Sequence, residues 1–171
     1  MEIITGKYKG KRVETLSGNY YRPTTSRIRK SIFDILGDLE SSKVLDLFAG
    51  SGILGFEAAS RGACEVTFIE NNFQLLKLLR FNGAEFDQTD IIVKRRDVFS
   101  FLLQAGKFDL IFADPPYGKV DLEKLIDLCR RHIRRSGKFL LESSIRDKLP
   151  PDFCREKVYG DTRITFWESM K

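Results

Sequence analysis

The chain has 171 residues, enough for one domain with a buried core. Hydrophobic residues make up 42% of the sequence and charged residues 31%, a composition that excludes disordered and low-complexity chains. The sequence has neither an apolar run long enough to span a membrane nor a signal-peptide pattern at its start, so we expect a cytoplasmic protein.

Cysteine and histidine usage argues against metal and triad chemistry. The three cysteines, Cys64, Cys129 and Cys154, are far apart and fit no metal-ligand spacing, so we expect reduced, packed thiols. The single histidine, His132, lies in an arginine-rich stretch, where a surface position is more common than a catalytic one. We expect no metal site and no Ser-His-Asp triad.

The net charge of +5 is concentrated at one end of the chain. Residues 1–30 contain eight Lys or Arg residues and two Glu residues, a net charge of +6. A localised basic segment favours a polyanionic partner such as nucleic acid over an ordinary solubilising surface. The basic residues of this segment are Lys7, Lys9, Lys11, Arg12, Arg22, Arg27, Arg29 and Lys30.

Residues 1–40 are predicted to form a basic arm followed by a helix. Residues 3–5 and 12–16 favour a small hairpin, and Thr24 or Thr25 can cap the helix that follows. The apolar positions of this helix repeat at helical spacing and stop at a glycine, and they are Ile28, Ile32, Ile35 and Leu36.

Residues 41–171 alternate between apolar strands and amphipathic helices, which predicts a mostly parallel sheet covered on both faces. Five strands are predicted at Val44–Phe48, Glu65–Ile69, Ile91–Val93, Phe108–Ala113 and Phe139–Leu141. Helices are predicted at Ile53–Arg61, Phe73–Phe81, Val98–Gln104 and Leu122–Ile133. The last two strands, Phe153–Tyr159 and Arg163–Trp167, have only a turn between them, which indicates a terminal antiparallel hairpin.

A glycine-rich loop joins the first predicted strand of the sheet to its helix. Gly50 and Gly52 leave room for a ligand beside the backbone, and the helix start offers free N–H groups. Glu70 follows twenty residues after Gly50 and can accept both hydroxyls of a ribose. This pattern favours a nucleoside-containing cofactor and does not by itself separate NAD from S-adenosylmethionine.

Two further acidic residues bear on the choice of cofactor. Asp46 would repel a pyrophosphate but suits the cationic amino group of a methionine moiety; its alternative role is to accept N–H groups of the loop. Asp97 can accept the adenine amino group, with the Val98 backbone beside the ring. Asp97 can equally cap the next helix, and both roles can hold together.

The tetrapeptide Asp114-Pro115-Pro116-Tyr117 follows an apolar strand, where ligands of open α/β sheets bind. An exocyclic amine on a base is a double hydrogen-bond donor and a poor nucleophile. The proline carbonyls and the Asp114 carboxylate supply acceptors without competing N–H donors, and Tyr117 offers a face for base stacking. By itself Asp-Pro-Pro favours a simple turn, but the acidic residues and glycine loop upstream favour catalysis.

These residues resemble the amino-methyltransferases that carry an Asn/Asp-Pro-Pro-aromatic motif. The sequence is most similar to the bacterial 16S rRNA guanine-N2 methyltransferase family of the RsmD type, and the similarity runs through nearly the whole chain. The matching segments are Ile3–Gly10, Arg22–Arg29, Leu45–Gly52, Asp114–Tyr117 and Tyr159–Arg163. The first two and the last have no general role in cofactor binding and are therefore the more specific.

The resemblance implies a Rossmann-like class I methyltransferase fold with a seven-stranded sheet and a small basic N-terminal extension, in a single domain. It implies methyl transfer from S-adenosylmethionine to N2 of one guanosine in small-subunit rRNA. Because no separate recognition domain is apparent, we expect the RNA to be presented in a partly assembled subunit, and we expect the protein to be a monomer. The cofactor would be held by Asp46, Phe48, Gly50, Ser51, Gly52, Glu70, Asn71, Asp97 and Val98. Asp114, Pro115, Pro116 and Tyr117 would be catalytic, and Lys7, Lys9, Lys11, Arg12, Arg22, Arg27 and Arg29 would contact RNA.

The nearest alternative is an adenine-N6 methyltransferase acting on DNA or RNA with the same tetrapeptide. DNA enzymes of this kind usually carry a separate target-recognition domain, for which the sheet elements leave no room in 171 residues. A non-catalytic nucleic-acid-binding domain would show no affinity for the cofactor. An NAD oxidoreductase would leave Asp114–Tyr117 without a role.

Overall fold

A computed structural model describes residues 1–16 and 25–169. Its strands are β1 (Lys43–Leu47), β2 (Glu65–Glu70), β3 (Asp90–Arg95), β4 (Phe108–Ala113), β5 (Ile133–Ser144), β6 (Arg155–Tyr159) and β7 (Thr162–Glu168). Its helices are α1 (Ser26–Leu36), α2 (Ile53–Ser60), α3 (Phe73–Gly83), α4 (Val98–Leu102) and α5 (Leu122–Arg131). None of the helices in the described part is long and apolar enough to cross a membrane.

The strands form one sheet in the order β3-β2-β1-β4-β5-β7-β6. Strands β1 to β5 are parallel to one another, and β7 runs antiparallel to both β5 and β6. The predicted mostly parallel sheet with a reversed C-terminal hairpin is therefore confirmed. The chain crosses from β3 back past β1 to β4, so the order reverses between β1 and β4, and ligands of such sheets bind at that switch point.

Helices cover both faces of the sheet. Side chains of α1, α2 and α3 pack on one face around a cluster that includes Phe33, Phe56 and Phe112. On the other face α4 and α5 pack around a second cluster that includes Leu125 and Trp167. Each fully buried side chain of this size contributes roughly 1.5–3 kcal/mol, so the two clusters hold the strand ends in fixed positions.

The N-terminal arm forms the predicted hairpin, through an antiparallel bridge between Glu2 and Arg12. The arm is anchored to α2 because the Ile4 and Thr5 N–H groups donate to the buried Glu57 carboxylate at 2.8 and 3.1 Å. Among the two predicted caps of α1, Thr25 accepts from the Ile28 N–H group, whereas Thr24 lies outside the described residues.

The prediction was wrong at the junction of α5 and β5. The helix ends at Arg131, and Ile133 begins a strand of twelve residues by pairing with Phe108. A bulge follows, in which Ser136 has a φ of 62°, before regular pairing resumes at Lys138. Ile133 is buried as the first residue of β5. It lies four residues after Cys129 and so continues the apolar spacing of α5, although it is not part of that helix.

Candidate active site

A cavity of about 660 Å³ opens at the carboxyl ends of the central strands, within the size range of small-molecule sites. One half lies at the ends of β1, β2 and β3, and we call it the cofactor half after its predicted role. Its wall includes Phe48, Gly50, Glu70, Asn71, Asp97 and Val98. The other lies after β4 and at the end of β5, and we call it the base half after its predicted role. Its wall includes Asp114, Pro115, Pro116, Tyr117 and Glu142. The structure therefore brings the glycine loop and the tetrapeptide to one site.

The loop after β1 depends on left-handed backbone conformations. Gly50 and Gly52 have φ angles of 55° and 75°, which favour glycine. A Cβ atom at Gly52 would lie 2.5 Å from Leu79 Cδ2 in the packed core. Gly50 thus keeps the backbone open toward the cavity, whereas Gly52 lets the loop close down on the helices behind it.

Glu70 connects the loop to the start of α3. Its Oε2 accepts from the Gly50 N–H group at 3.0 Å, and its Oε1 accepts from the Asn71 and Asn72 N–H groups at 2.9 Å each. A carboxylate has about four acceptor positions, so three are already used. Glu70 can therefore accept one ribose hydroxyl at its remaining position, and a second only by sharing a position with a backbone N–H group.

Asp97 caps α4 at the cavity wall, because its Oδ1 accepts from the Ser100 N–H group at 2.9 Å. The residue is exposed and lines the cavity beside the buried Val98. Asp97 therefore has the capping role that the sequence allowed, and its side chain can still reach a ligand in the cavity.

Asp46 lies behind the loop rather than at its surface. It is 4% exposed, and its Oδ2 accepts from the Gly55 N–H group at 3.0 Å, which is the alternative role that the sequence left open. The pKa of Asp46 is raised to about 8, chiefly by burial and to a smaller extent by the nearby Glu70 carboxylate, while the hydrogen bond from the Gly55 N–H group opposes the rise. Ser51 and Gly52 are buried as well, so the cavity wall among the described residues is built by their neighbours Phe48 and Gly50.

The tetrapeptide turns away from β4 into the cavity. Pro115 is buried, whereas Pro116 and Tyr117 are exposed, with 41% of Tyr117 accessible. The Tyr117 hydroxyl lies 3.3 Å from Thr162 Oγ1 at the start of β7, so the terminal hairpin helps to place the ring at the rim.

Glu142 is a candidate site residue that sequence reasoning missed. It follows Leu141, the β5 partner of Ala113, just as Asp114 follows Ala113, so the two acids lie side by side. Glu142 is 5% exposed and lines the cavity. Burial raises the pKa of Asp114 well above its ordinary value, and the Glu142 and Asp46 carboxylates raise it further.

The basic residues of the N-terminal arm lie in several environments. Lys7 Nζ pairs with Glu40 at 3.9 Å and Lys11 Nζ with Glu85 at 3.1 Å, beside the ends of α2 and α3 that lie away from the cavity. Lys9 and Arg12 are exposed. Arg22 lies outside the described residues.

Arg27 is exposed in the first turn of α1, which points toward the cavity edge of the sheet. The direction of α1 follows from two of its contacts, one at its last residue and one in its middle. The Leu36 carbonyl accepts from Lys138 Nζ low on β5, whereas Ser31 accepts from the Tyr159 hydroxyl at the carboxyl end of β6.

The expected phosphate contact of Arg29 needs correction. Its side chain is 4% exposed, and Nη2 donates to the Glu2 carbonyl at 2.9 Å, which ties the arm to α1. Burial lowers the pKa of Arg29, although the Glu57 carboxylate opposes this. Its position in the sequence carried the signal, because Arg29 lies on the same helical stripe as the buried Ile32, Phe33 and Leu36.

Solved structures define the class of protein. The fold matches "Putative methyltransferase yhhF from Escherichia coli" with a TM-score of 0.87 at 31% identity, over 99% of this chain and 98% of that chain. The structural neighbours are class I methyltransferases, so the predicted Rossmann-like methyltransferase fold is confirmed.

Sequence comparisons define the family. The chain belongs to the family described as "Conserved hypothetical protein 95", whose model matches residues 1–168. "Ribosomal RNA small subunit methyltransferase D" of Escherichia coli is 31% identical over 98% of this chain and 89% of its own length. "Putative rRNA methyltransferase YlbH" of Bacillus subtilis is 32% identical over 98% of both chains. The predicted membership of the RsmD-type family is confirmed.

Proposed function

We propose that this chain is an S-adenosylmethionine-dependent methyltransferase that modifies the exocyclic N2 amine of a guanosine in small-subunit rRNA. The names of its full-length relatives support the substrate class. The observation that carries the proposal is the convergence of the glycine loop, Glu70, Asp97 and Asp114–Tyr117 on one cavity.

The charges of the cavity wall suit this cofactor. Four carboxyl residues line the cavity against two cationic ones, Arg96 and Lys119. An acidic wall favours a ligand with a sulfonium and an amino group over a pyrophosphate. When bound, S-adenosylmethionine supplies an electrophilic methyl group. The residues proposed to hold it are Phe48, Gly50, Glu70, Asn71, Asp97 and Val98, and the loop that they form is shaped from behind by Asp46, Ser51 and Gly52.

The base half positions the amine for reaction. The Asp114 carboxyl group and the Pro115 carbonyl would each accept one N–H group of the amine, which orients its lone pair. Because neither proline has an N–H group, no backbone donor of this step competes with the amine. Positive charge that develops on the nitrogen is stabilised by Asp114, with Pro116 setting the turn. Tyr117 would stack on the base, a contact worth roughly 1–3 kcal/mol.

RNA phosphates would be contacted from the side of the cavity where α1 begins. Arg27 lies there, and Arg22 precedes it in sequence. Lys9 provides exposed charge farther away, while Lys7, Lys11 and Arg12 contribute less because each already pairs with an acidic side chain, Arg12 with Glu14 at 3.6 Å. We propose that residues 1–171 act as one domain and as a monomer, in the cytoplasm, on rRNA of a partly assembled subunit.

The largest expected effect is that of Asp114→Ala. Small-subunit particles from a strain that lacks the gene would be incubated with the purified chain and tritiated S-adenosylmethionine. We expect kcat/KM to fall by about 100-fold or more, because a hydrogen-bond acceptor at the reacting atom is lost. Calorimetry should show that affinity for S-adenosylmethionine is largely kept.

Asp127→Ala is the matched control, since Asp127 pairs with Arg131 on the exposed face of α5. Undiminished methyl transfer by Asp114→Ala would contradict the role of Asp114. If the digested RNA contained labelled N6-methyladenosine and no labelled N2-methylguanosine, the substrate base would be adenine and the proposal of guanine would be wrong.

A further inference from the structure

We propose that Glu142 makes the site specific for guanine, by accepting a hydrogen bond from the N1–H group of the base whose amine is held by Asp114. This inference rests on the proposed function and names the edge of the base that the cavity reads. Glu142 is distinct from the tetrapeptide, because it lies on the neighbouring strand β5.

The sheet places Glu142 one strand away from the reacting atom. Neighbouring strands lie roughly 4.8 Å apart, and Ala113 and Leu141 are register partners immediately before the two acids. Alternation along β5 turns Leu140 and Glu142 to the same face, and Leu140 lies in the cluster that also contains Phe112 of β4. Asp114 and Glu142 therefore present two carboxyl groups to one end of the cavity.

The Watson–Crick edges of guanine and adenine differ at the atom that would meet Glu142. Guanine offers two adjacent donors, the N2 amine and N1–H. Adenine offers the N6 amine beside an N1 lone pair. An ionised carboxylate only accepts hydrogen bonds, so it attracts guanine N1–H and repels adenine N1. It also repels N3 on the other side of the guanine amine, and so fixes which edge of the base faces β5.

Glu142 and Asp114 bring two carboxyl groups together at the wall of the cavity. Two carboxyl groups at neighbouring positions repel each other, and burial of each removes solvation. Groups with this arrangement in a cleft are more typical of functional sites than of structural ones. A site built to bond a particular N–H group rejects an analogue that lacks it much more strongly than an apolar pocket would.

The test compares guanosine with 2-aminopurine riboside at the mapped target nucleotide of an rRNA assembled from ligated fragments. 2-Aminopurine keeps the exocyclic amine but has an N1 lone pair in place of N1–H. The wild-type chain should favour guanosine by about 100-fold or more in kcat/KM. In Glu142→Gln the preference should fall to about tenfold or less, because the amide can donate to N1 as well as accept from it.

Glu142→Ala provides a second variant, which removes the acceptor without offering a donor and should also lose the preference. Glu123→Gln, on the exposed side of α5, is the matched control and should keep it. Calorimetry with S-adenosylmethionine and thermal melting establish that each variant is folded.

Equal losses on both substrates in the Glu142 variants, with the guanosine preference intact, would overturn the inference and leave the proposed function standing. A wild-type chain that methylates no guanosine in any small-subunit RNA would overturn the proposed function itself, and this inference with it.

Discussion

In the cofactor half of the cavity the carboxylates accept backbone N–H groups, whereas in the base half Asp114 and Glu142 lie beside each other. Glu70 accepts three such groups and Asp97 accepts one. In the base half the two acids come from neighbouring strands, and their charges oppose each other. The same residue type thus serves two purposes within one cavity.

This contrast separates acids that shape the site from acids that act on the ligand. A carboxylate that accepts several backbone N–H groups is stabilised and fixes the loop around it. A carboxyl group held beside another one is destabilised, and its pKa rises. The cofactor half therefore owes its shape to its acids, while both acids of the base half line the part of the cavity that is proposed to receive the base.

Asp46, which lies between the two halves, gives the largest effect on stability. Its pKa is about 8 in the folded chain against an ordinary value of 3.8, so between these values the folded state alone binds the proton. The contribution of protonated Asp46 to the stability of the folded state is fully present below about pH 4 and is lost as the pH rises through about 8. Asp46→Asn cannot titrate and should gain on the wild type by up to ~4 kcal/mol between about pH 5 and pH 8.

Urea denaturation of both proteins at these two pH values measures the gain, with Asp127→Asn as the control on the surface of α5. A difference in the free energy of unfolding that does not change with pH would show that Asp46 is ionised throughout, as an acid of the cofactor half would be.

Glu70→Gln tests the cofactor half directly. The amide keeps one acceptor oxygen for the loop but places an NH₂ group against backbone N–H donors. We expect affinity for S-adenosylmethionine to fall by about 10- to 100-fold, in contrast to Asp114→Ala. Calorimetry on the two variants side by side measures this difference, and a loss of cofactor affinity in both variants, or in neither, would contradict the separate roles of the two halves.

Arg27→Glu gives the smallest expected effect. If Arg27 contacts one phosphate, the slope of log affinity against log salt should become shallower by about 0.7 for single-stranded RNA. Methylation of saturating RNA should change little. Lys11→Glu serves as a comparison, because Lys11 already pairs with Glu85. If the salt dependence of RNA affinity were the same in Arg27→Glu as in the wild type, Arg27 and the start of α1 would not contact RNA phosphates.

The sequence predicted the sheet well because each strand of its centre is a short apolar run bounded by polar residues or glycine. It failed where local pattern and tertiary pairing disagree. Arg134, Arg135 and Ser136 have no strand character, yet β5 includes them because Ile133 pairs with Phe108 across the sheet.

The site was predictable in part for the same reason. Gly50, Glu70, Asp97 and Asp114 each lie at or just after the carboxyl end of a strand, so their convergence could be expected from chain order alone. Glu142 could not, since its significance depends on β5 lying next to β4 in a particular register. The direction in which Asp46 faces likewise depends on Gly55, nine residues away in sequence but adjacent in space.

The central claim is that the two halves together methylate the N2 amine of guanosine in small-subunit rRNA. Mass spectrometry of nucleosides from that RNA, with and without the gene, tests it most directly. We predict that N2-methylguanosine falls by one residue per RNA molecule when the gene is absent, and returns with the wild-type chain but not with Asp114→Ala. An unchanged amount of N2-methylguanosine, or a loss of N6-methyladenosine in its place, would contradict the claim.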